Sequence, residues 1–308
     1  MDAFAATRLA AGVGFLVVAA ASDLRSRRVR DPLWISLGTA GLMTLAAQIA
    51  FQGLAWPAWL LLVSAAIFFY AVFFGEPLFG EDGFHARPIR IVLFLAAGAL
   101  FLISVGSIQG GAGYEVLPQL ASMPVMVVVY QGFYKLRILH GGADAKGLIA
   151  LTLLFPSYPS TLPFPMSQAD ARVDAFLRIA FPFSLVIWVD GLILSLAVPV
   201  ALLVYNAARG DLAFPQALLG YRARLNPFPA RAWLMEKITD RGEHVLVLFP
   251  RRGGDPSGEI ARLRAAGVER AWVTPKIPLM AALPPGLVVA FFAGNLLVAF
   301  LVLARQVI

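Results

Sequence analysis

"FLVVAAASDLRSRRVRDPLWISLG", Phe15 to Gly38, runs from an apolar stretch through a turn holding four arginines into a second apolar stretch. The small residues Ala19, Ala20, Ala21 and Ser22 match the pattern of a secretory cleavage site. A signal peptide, however, carries its positive charge ahead of the apolar core. Here only Arg8 precedes the core, whereas Arg25, Arg27, Arg28 and Arg30 follow it. The first stretch is therefore expected to remain as a helix with its N-terminus outside, the arginines holding the turn at the inner face.

The rest of the chain repeats this alternation. Hydrophobic residues make up 59% and charged residues 14%, and the mean hydropathy is +0.77. A soluble domain keeps about a quarter of its residues charged, so the bilayer is the expected solvent. A spanning helix needs about 20 mostly apolar residues. Segments 5–22, 34–52, 56–74, 90–106, 117–135, 144–156, 180–206 and 283–304 meet or approach that length. The sixth is short and stops at "FPSYPSTLPFP", whose prolines break a helix.

Positive charge tests the topology. "RSRRVR" follows the first segment, "EDGFHARPIR" the third, "KLRILHGGADAK" the fifth, and a basic stretch from Arg209 to Lys276 the seventh. The loops between them, "QGLAWP", "SIQGGAGYEV" and "SYPSTLPFPMSQADARVD", hold few Lys or Arg. This alternation places the odd-numbered loops inside. The net charge of +7 thus sits in membrane loops, and the expected partner is lipid, not nucleic acid. The absence of cysteine excludes disulfides, thiolate metal sites and cysteine nucleophiles.

The expected fold is an all-α polytopic membrane protein of about eight transmembrane helices, with a small cytoplasmic α/β insert before the last helix. Residues 1–206 form the transmembrane bundle, 207–276 the insert and 277–308 the C-terminal helix. Within the insert "EHVLVLF" and "ERAWVT" read as strands, and "SGEIARLRAAG" as a helix with Ser257 as N-cap and Gly267 as its stop. "RRGGDPSG" is turn chemistry without the Lys-Ser/Thr ending of a phosphate loop.

Two acids fall at the same membrane face. Asp23 closes the first helix and Asp144 lies at or near the first turn of the sixth. Paired carboxylates whose pKa values are pushed apart can share one proton and activate water against an amide. Gly141 and Gly142 allow tight backbone geometry and close approach of substrate. The helix dipole favours charge on Asp144 and disfavours it on Asp23. That points to Asp144 as base and Asp23 as acid, although a coupled pair need not keep a fixed assignment. Each residue also has a plainer reading. A lone acid at a helix end is an interfacial cap, Lys146 is a snorkelling positive-inside residue, and Asp31, before Pro32, is the N-cap of the second helix. Asp190 in "WVDGLIL" falls mid-helix, where a charge costs about 2.5–3.5 kcal/mol. It is expected to be protonated or hydrogen-bonded inside the bundle.

"GGADAKGL" resembles the GxGD signature of type IV prepilin peptidases, with a lysine two places after the aspartate. "SDLRSRRVRDPLW" resembles the first aspartate segment of that family. "RGDLAFPQALLGYR" and "AWVTPKIPL" resemble its archaeal branch, the preflagellin and archaeal prepilin peptidases. The resemblance implies a membrane aspartic endopeptidase at the cytoplasmic face, needing no metal or cofactor. It would remove the short basic leader from prepilin or preflagellin precursors. The catalytic pair maps onto Asp23 and Asp144, with Gly141, Gly142, Ala143 and Lys146 as the supporting motif. Ala143 departs from the signature glycine. The cysteine-rich domain of bacterial relatives has no counterpart here, so cleavage without N-methylation is expected.

Three rivals are weighed against this. Asp82, Gly83, Ala86 and Arg87 match the opening of the CDP-alcohol phosphatidyltransferase motif, but Ala96, Leu100 and Ser104 stand where its ligands should follow. His85 and His140 have no partner pattern for a metal. A proton- or cation-coupled transporter would use Asp190, yet no inverted repeat is visible. A silent assembly scaffold would tolerate loss of both loop acids.

Overall fold

A computed structural model describes residues 2–76, 79–80, 83–139, 141–159, 171–250 and 255–307. The chain divides into two compact units, residues 1–194 with 278–308, and residues 195–277.

The first unit is helical. Its elements are α1 (Ala3–Ser26), α2 (Asp31–Gln52), α3 (Pro57–Phe73), a short hairpin of β1 (Phe79–Gly80) and β2 (Gly83–Phe84), α4 (Pro88–Gly106), α5 (Leu117–Leu120), α6 (Ser122–Lys135), α7 (Gly142–Leu154), α8 (Ala171–Ala180) and α9 (Phe183–Ser195). The second unit begins with α10 (Ala197–Ala207) and α11 (Gln216–Leu219). It continues with β3 (Tyr221–Arg224), β4 (Ala232–Leu234), β5 (Glu236–Ile238), β6 (His244–Leu246), α12 (Ser257–Ala265) and β7 (Arg270–Pro275). The chain then returns to the first unit with α13 (Leu283–Phe292) and α14 (Leu296–Val307).

Among the described residues four helices are long and apolar enough to cross a membrane: α1, α2, α4 and the stretch Phe183–Ala207. A fifth crossing results if Leu279–Phe292 and Leu296–Ala304, bent by 60°, count as one. The remaining expected crossings are shorter helices: α3 with 17 residues, α6 with 14 and α7 with 13. Local chemistry explains two of the interruptions. The stretch 117–135 breaks at Ala121, which leaves Pro124 in the first turn of α6, where its missing N–H costs nothing. The last segment breaks after α13, where Gly294 adopts φ +83 and Asn295 Oδ1 accepts the Val298 N–H to start α14.

The short α7 is the most enclosed helix of the bundle. Ala145 and every residue from Gly147 to Leu154 are buried, as befits a helix apolar on all sides. It packs against α2 and α6, and its approach to α2 depends on a small residue. A Cβ on Gly41 would lie 2.6 Å from the Leu153 carbonyl carbon. Trp34, Leu37, Leu45, Phe69, Tyr130, Leu148 and Leu151 complete the core around it. Buried hydroxyls are paired there: Tyr130 Oη lies 3.1 Å from Ser184 Oγ, and Thr152 Oγ1 2.8 Å from the same atom.

In the second unit β7 pairs antiparallel with both β3 and β4, while β5 and β6 form a separate antiparallel pair. The two strands expected from sequence are β6 and β7; β3, β4 and β5 are additional short strands of three or four residues. Ala223, Ala232, Leu234, Leu263, Ala271 and Val273 form its core. Asn206 Nδ2 donates to Ala217 O at 2.9 Å and Gly220 O at 2.7 Å, tying α10 to this unit. Ser257 is not the N-cap of α12. It is the first helical residue, and Asp255 accepts its backbone N–H at 3.0 Å. That bond and one from the Ser257 hydroxyl hold the Asp255 carboxyl below the usual carboxylate range. Residues 251–254 of the "RRGGDPSG" turn lie outside the described residues.

Candidate functional site

Asp23 sits in the last turn of α1. The helix ends where Arg27 turns left-handed, φ 56, and returns its N–H to Asp23 O at 2.9 Å. Ser22 Oγ and Ser26 Oγ both reach Arg28 O, at 2.7 and 3.2 Å, folding the arginine turn back onto the helix end. The Asp23 side chain is half-buried, and Arg27 supplies the opposite charge that acts on it.

Asp144 sits in the first turn of α7, also half-buried. Gly141 precedes the helix in extended backbone, and its carbonyl accepts the Asp144 N–H at 3.1 Å. The carboxyl folds back over Gly141, so that a Cβ there would lie 2.9 Å from Asp144 Cγ. A side chain at 141 would force the Asp144 carboxyl to move from this position. At Gly142 a Cβ would meet the Tyr134 side chain at 3.5 Å, an ordinary contact. Ala143 lies half-buried in the same turn.

Asp23 and Asp144, at helix ends far apart in sequence, lie close enough in the fold for the charge of one to act on the other.

Lys146 has a more specific place than a snorkelling lysine. Its Nζ donates to Asp31 Oδ1 at 2.6 Å and stands 5.4 Å from the centre of the Phe73 ring. Asp31 is correspondingly not the N-cap of α2. Arg30 occupies that position, and Asp31 opens the first turn with Pro32 beside it. There the helix dipole favours its charge and its side chain faces α7. Sequence reasoning missed this pair because each partner has an adequate local explanation.

Asp190, fully buried in α9, is hydrogen-bonded as expected. Its Oδ1 accepts the Leu296 N–H at 3.0 Å, capping α14 from another helix. The "AGN" break before Leu296 was the available signal for such a cap. His85 is exposed, whereas Asp82 and His140 lie outside the described residues. Among the described residues, no three or more His, Asp or Glu side chains gather as for a metal ion.

No protein-family model and no curated protein matches the chain. The class that the fold defines is that of a mostly helical chain with four or five helices long and apolar enough to cross a membrane among the described residues, with Asp23 and Asp144 at two helix ends.

Proposed function

We propose that this chain is a membrane aspartic endopeptidase that removes the short basic leader from type IV prepilin-like or preflagellin precursors at the cytoplasmic face. The observation that supports the reading is that half-buried Asp23 and Asp144, from two helix ends far apart in sequence, lie within range of one another's charge.

In this reading one ionised carboxyl takes a proton from a water molecule as its oxygen attacks the scissile carbonyl carbon. The protonated partner donates a hydrogen bond to the carbonyl oxygen, which bears the developing negative charge. Collapse of the tetrahedral intermediate breaks the C–N bond, and a proton from the pair passes to the leaving amine. Asp144 and Asp23 hold one proton between them at rest, two in the tetrahedral intermediate and one again after the amine leaves; the singly protonated resting state is the one that like charges at close range favour. Gly141 gives the Asp144 carboxyl room, Gly142 and Ala143 shape the turn that carries it, and the Lys146–Asp31 pair holds α7 against α2. Neither a metal nor a cofactor is called for.

The corresponding topology has about eight crossings, the N-terminus outside and the acid pair at the cytoplasmic face, with α3, α6 and α7 as short crossings. Exposed apolar side chains such as Val92, Leu95 and Leu102 on α4 then face lipid.

The test is leader removal in membranes from a precursor with a basic leader, a glycine and a hydrophobic helix. Asp23→Asn and Asp144→Asn should each abolish cleavage while Asp190→Asn retains it. Normal cleavage by either of the first two would overturn the reading. A proton- or cation-coupled transporter is the second reading, resting on buried Asp190, whose Oδ2 has no hydrogen-bond partner among the described residues. It requires the reverse ranking of the three variants.

A further inference from the structure

The end of the first unit remote from the acid pair holds a cavity of about 300 Å³, lined in part by Asp2, Arg8, Gln48, Gln52, Glu115 and Ser157. α1 starts beside it, and the helix axis from Arg8 to Asp23 covers about 22 Å at 1.5 Å per residue. Arg8 is only 6% exposed, yet among the described residues neither its Nε nor its Nη2 has a hydrogen-bond partner. Gln48 donates from Nε2 to Gln52 Oε1 at 2.9 Å, while its own Oε1 accepts nothing from the described residues. A buried guanidinium and a buried carbonyl left unpaired are both costly, and the cost is removed by whatever fills the space beside them.

The charges around the cavity narrow the occupant. Asp2 accepts the Ala5 N–H at 2.6 Å and Glu115 accepts the Gly113 N–H at 3.0 Å. A purely anionic ligand on Arg8 would face these two negative charges. A purely cationic one would leave Arg8 Nε and Nη2 without an acceptor, although the Asp2 carboxylate supplies an opposite charge nearby. A group carrying an oxyanion and an N–H cation a few bonds apart satisfies both sides, and guanidinium is well suited to phosphate. The volume stands at the lower end of the about 300–1,000 Å³ range of small-molecule sites, enough for a headgroup but not for acyl chains. The cavity also lies among helix ends, where headgroups meet a membrane protein: it takes residues from the start of α1, the end of α2 and the segment after α7.

We propose that this cavity binds a phosphate joined to an ammonium, supplied by the headgroup of an aminophospholipid. Arg8 takes the phosphate, and Gln48 Oε1 with the Asp2 and Glu115 carboxylates takes the ammonium. The site is independent of the peptidase reading.

The experiment uses the full-length protein purified in detergent. It is titrated with phosphatidylethanolamine, phosphatidylglycerol, phosphatidylcholine and free phosphoethanolamine, and followed by native mass spectrometry and thermal unfolding. The ethanolamine lipid should stay bound and raise the unfolding midpoint. The glycerol lipid, lacking the cation, and the choline lipid, lacking N–H donors, should bind at least tenfold more weakly. Arg8→Gln should weaken the ethanolamine lipid at least tenfold. Should that variant fail to fold, Gln48→Leu reads the other side and should abolish the preference for ethanolamine over glycerol. Equal binding of all three lipids to the wild type, or undiminished ethanolamine-lipid binding in both variants, would overturn the site. Free phosphoethanolamine binding as tightly as the lipid would overturn the lipid as its source.

Discussion

Lys146 Nζ meets Asp31 Oδ1 at 2.6 Å, joining the first turn of α2 to the helix that carries Asp144. The pair is half open to solvent, so its contribution to stability is about 0–1 kcal/mol. Its leverage is positional, because α2 also follows directly on the arginine turn that leaves the end of α1, where Asp23 sits. Lys146→Met and Asp31→Asn should each lower leader cleavage several-fold while moving the unfolding midpoint little. The double variant should be no worse than either single one, which a double-mutant cycle measures.

Cleavage should have a bell-shaped pH dependence. At low pH both carboxyls are protonated and no base remains; at high pH both are ionised and no acid remains. Rates of leader removal in vesicles with controlled internal pH would show both limbs. A rate that rises to a plateau with no second limb would exclude an acid pair.

The two signature glycines should respond differently. Alanine at 141 places a Cβ against the Asp144 carboxyl, so Gly141→Ala should cost at least tenfold in cleavage with the helical content unchanged. Gly142→Ala should be within about twofold of wild type, since its Cβ makes only ordinary contact with Tyr134. Parallel assays and circular dichroism separate lost chemistry from lost fold.

Asp190 should matter for structure. Asp190→Asn keeps an oxygen that can accept the Leu296 N–H, whereas Asp190→Leu leaves that N–H unpaired at a cost of about 1–3 kcal/mol. Thermal unfolding should therefore rank wild type close to the asparagine variant and well above the leucine variant.

The contact of α2 with α7 should be the least tolerant of added volume. A Cβ at Gly41 meets backbone of Leu153, which cannot swing aside as a side chain can. Gly41→Ala should destabilise by about 1–3 kcal/mol through forced helix separation. Gly98→Ala on α4, where nothing stands within 4 Å, should be neutral.

Much of this protein could be read along the chain. Hydropathy marks the apolar helices, because removing an apolar side chain from water depends on that side chain more than on its neighbours. Arginine placement marked Asp23 as the end of a helix, and two glycines marked Asp144 as the start of another. The same local signal misjudged continuity. It treated 283–304 as one helix, although Gly294 and Asn295 carry the chemistry of a stop and a start.

What the sequence determined by itself was an apolar chain, with acids at the ends of its first and α7 helices and a short polar insert late in the chain. Only the tertiary structure decided that the 13-residue α7 is enclosed on every side, that Asp31 serves Lys146 and not its own helix cap, and that Asp190 caps a helix more than a hundred residues away. The reason is the range of the forces involved. Burial preference and helix punctuation are written residue by residue, whereas hydrogen bonds and ion pairs act over a few ångströms between side chains that only packing brings together.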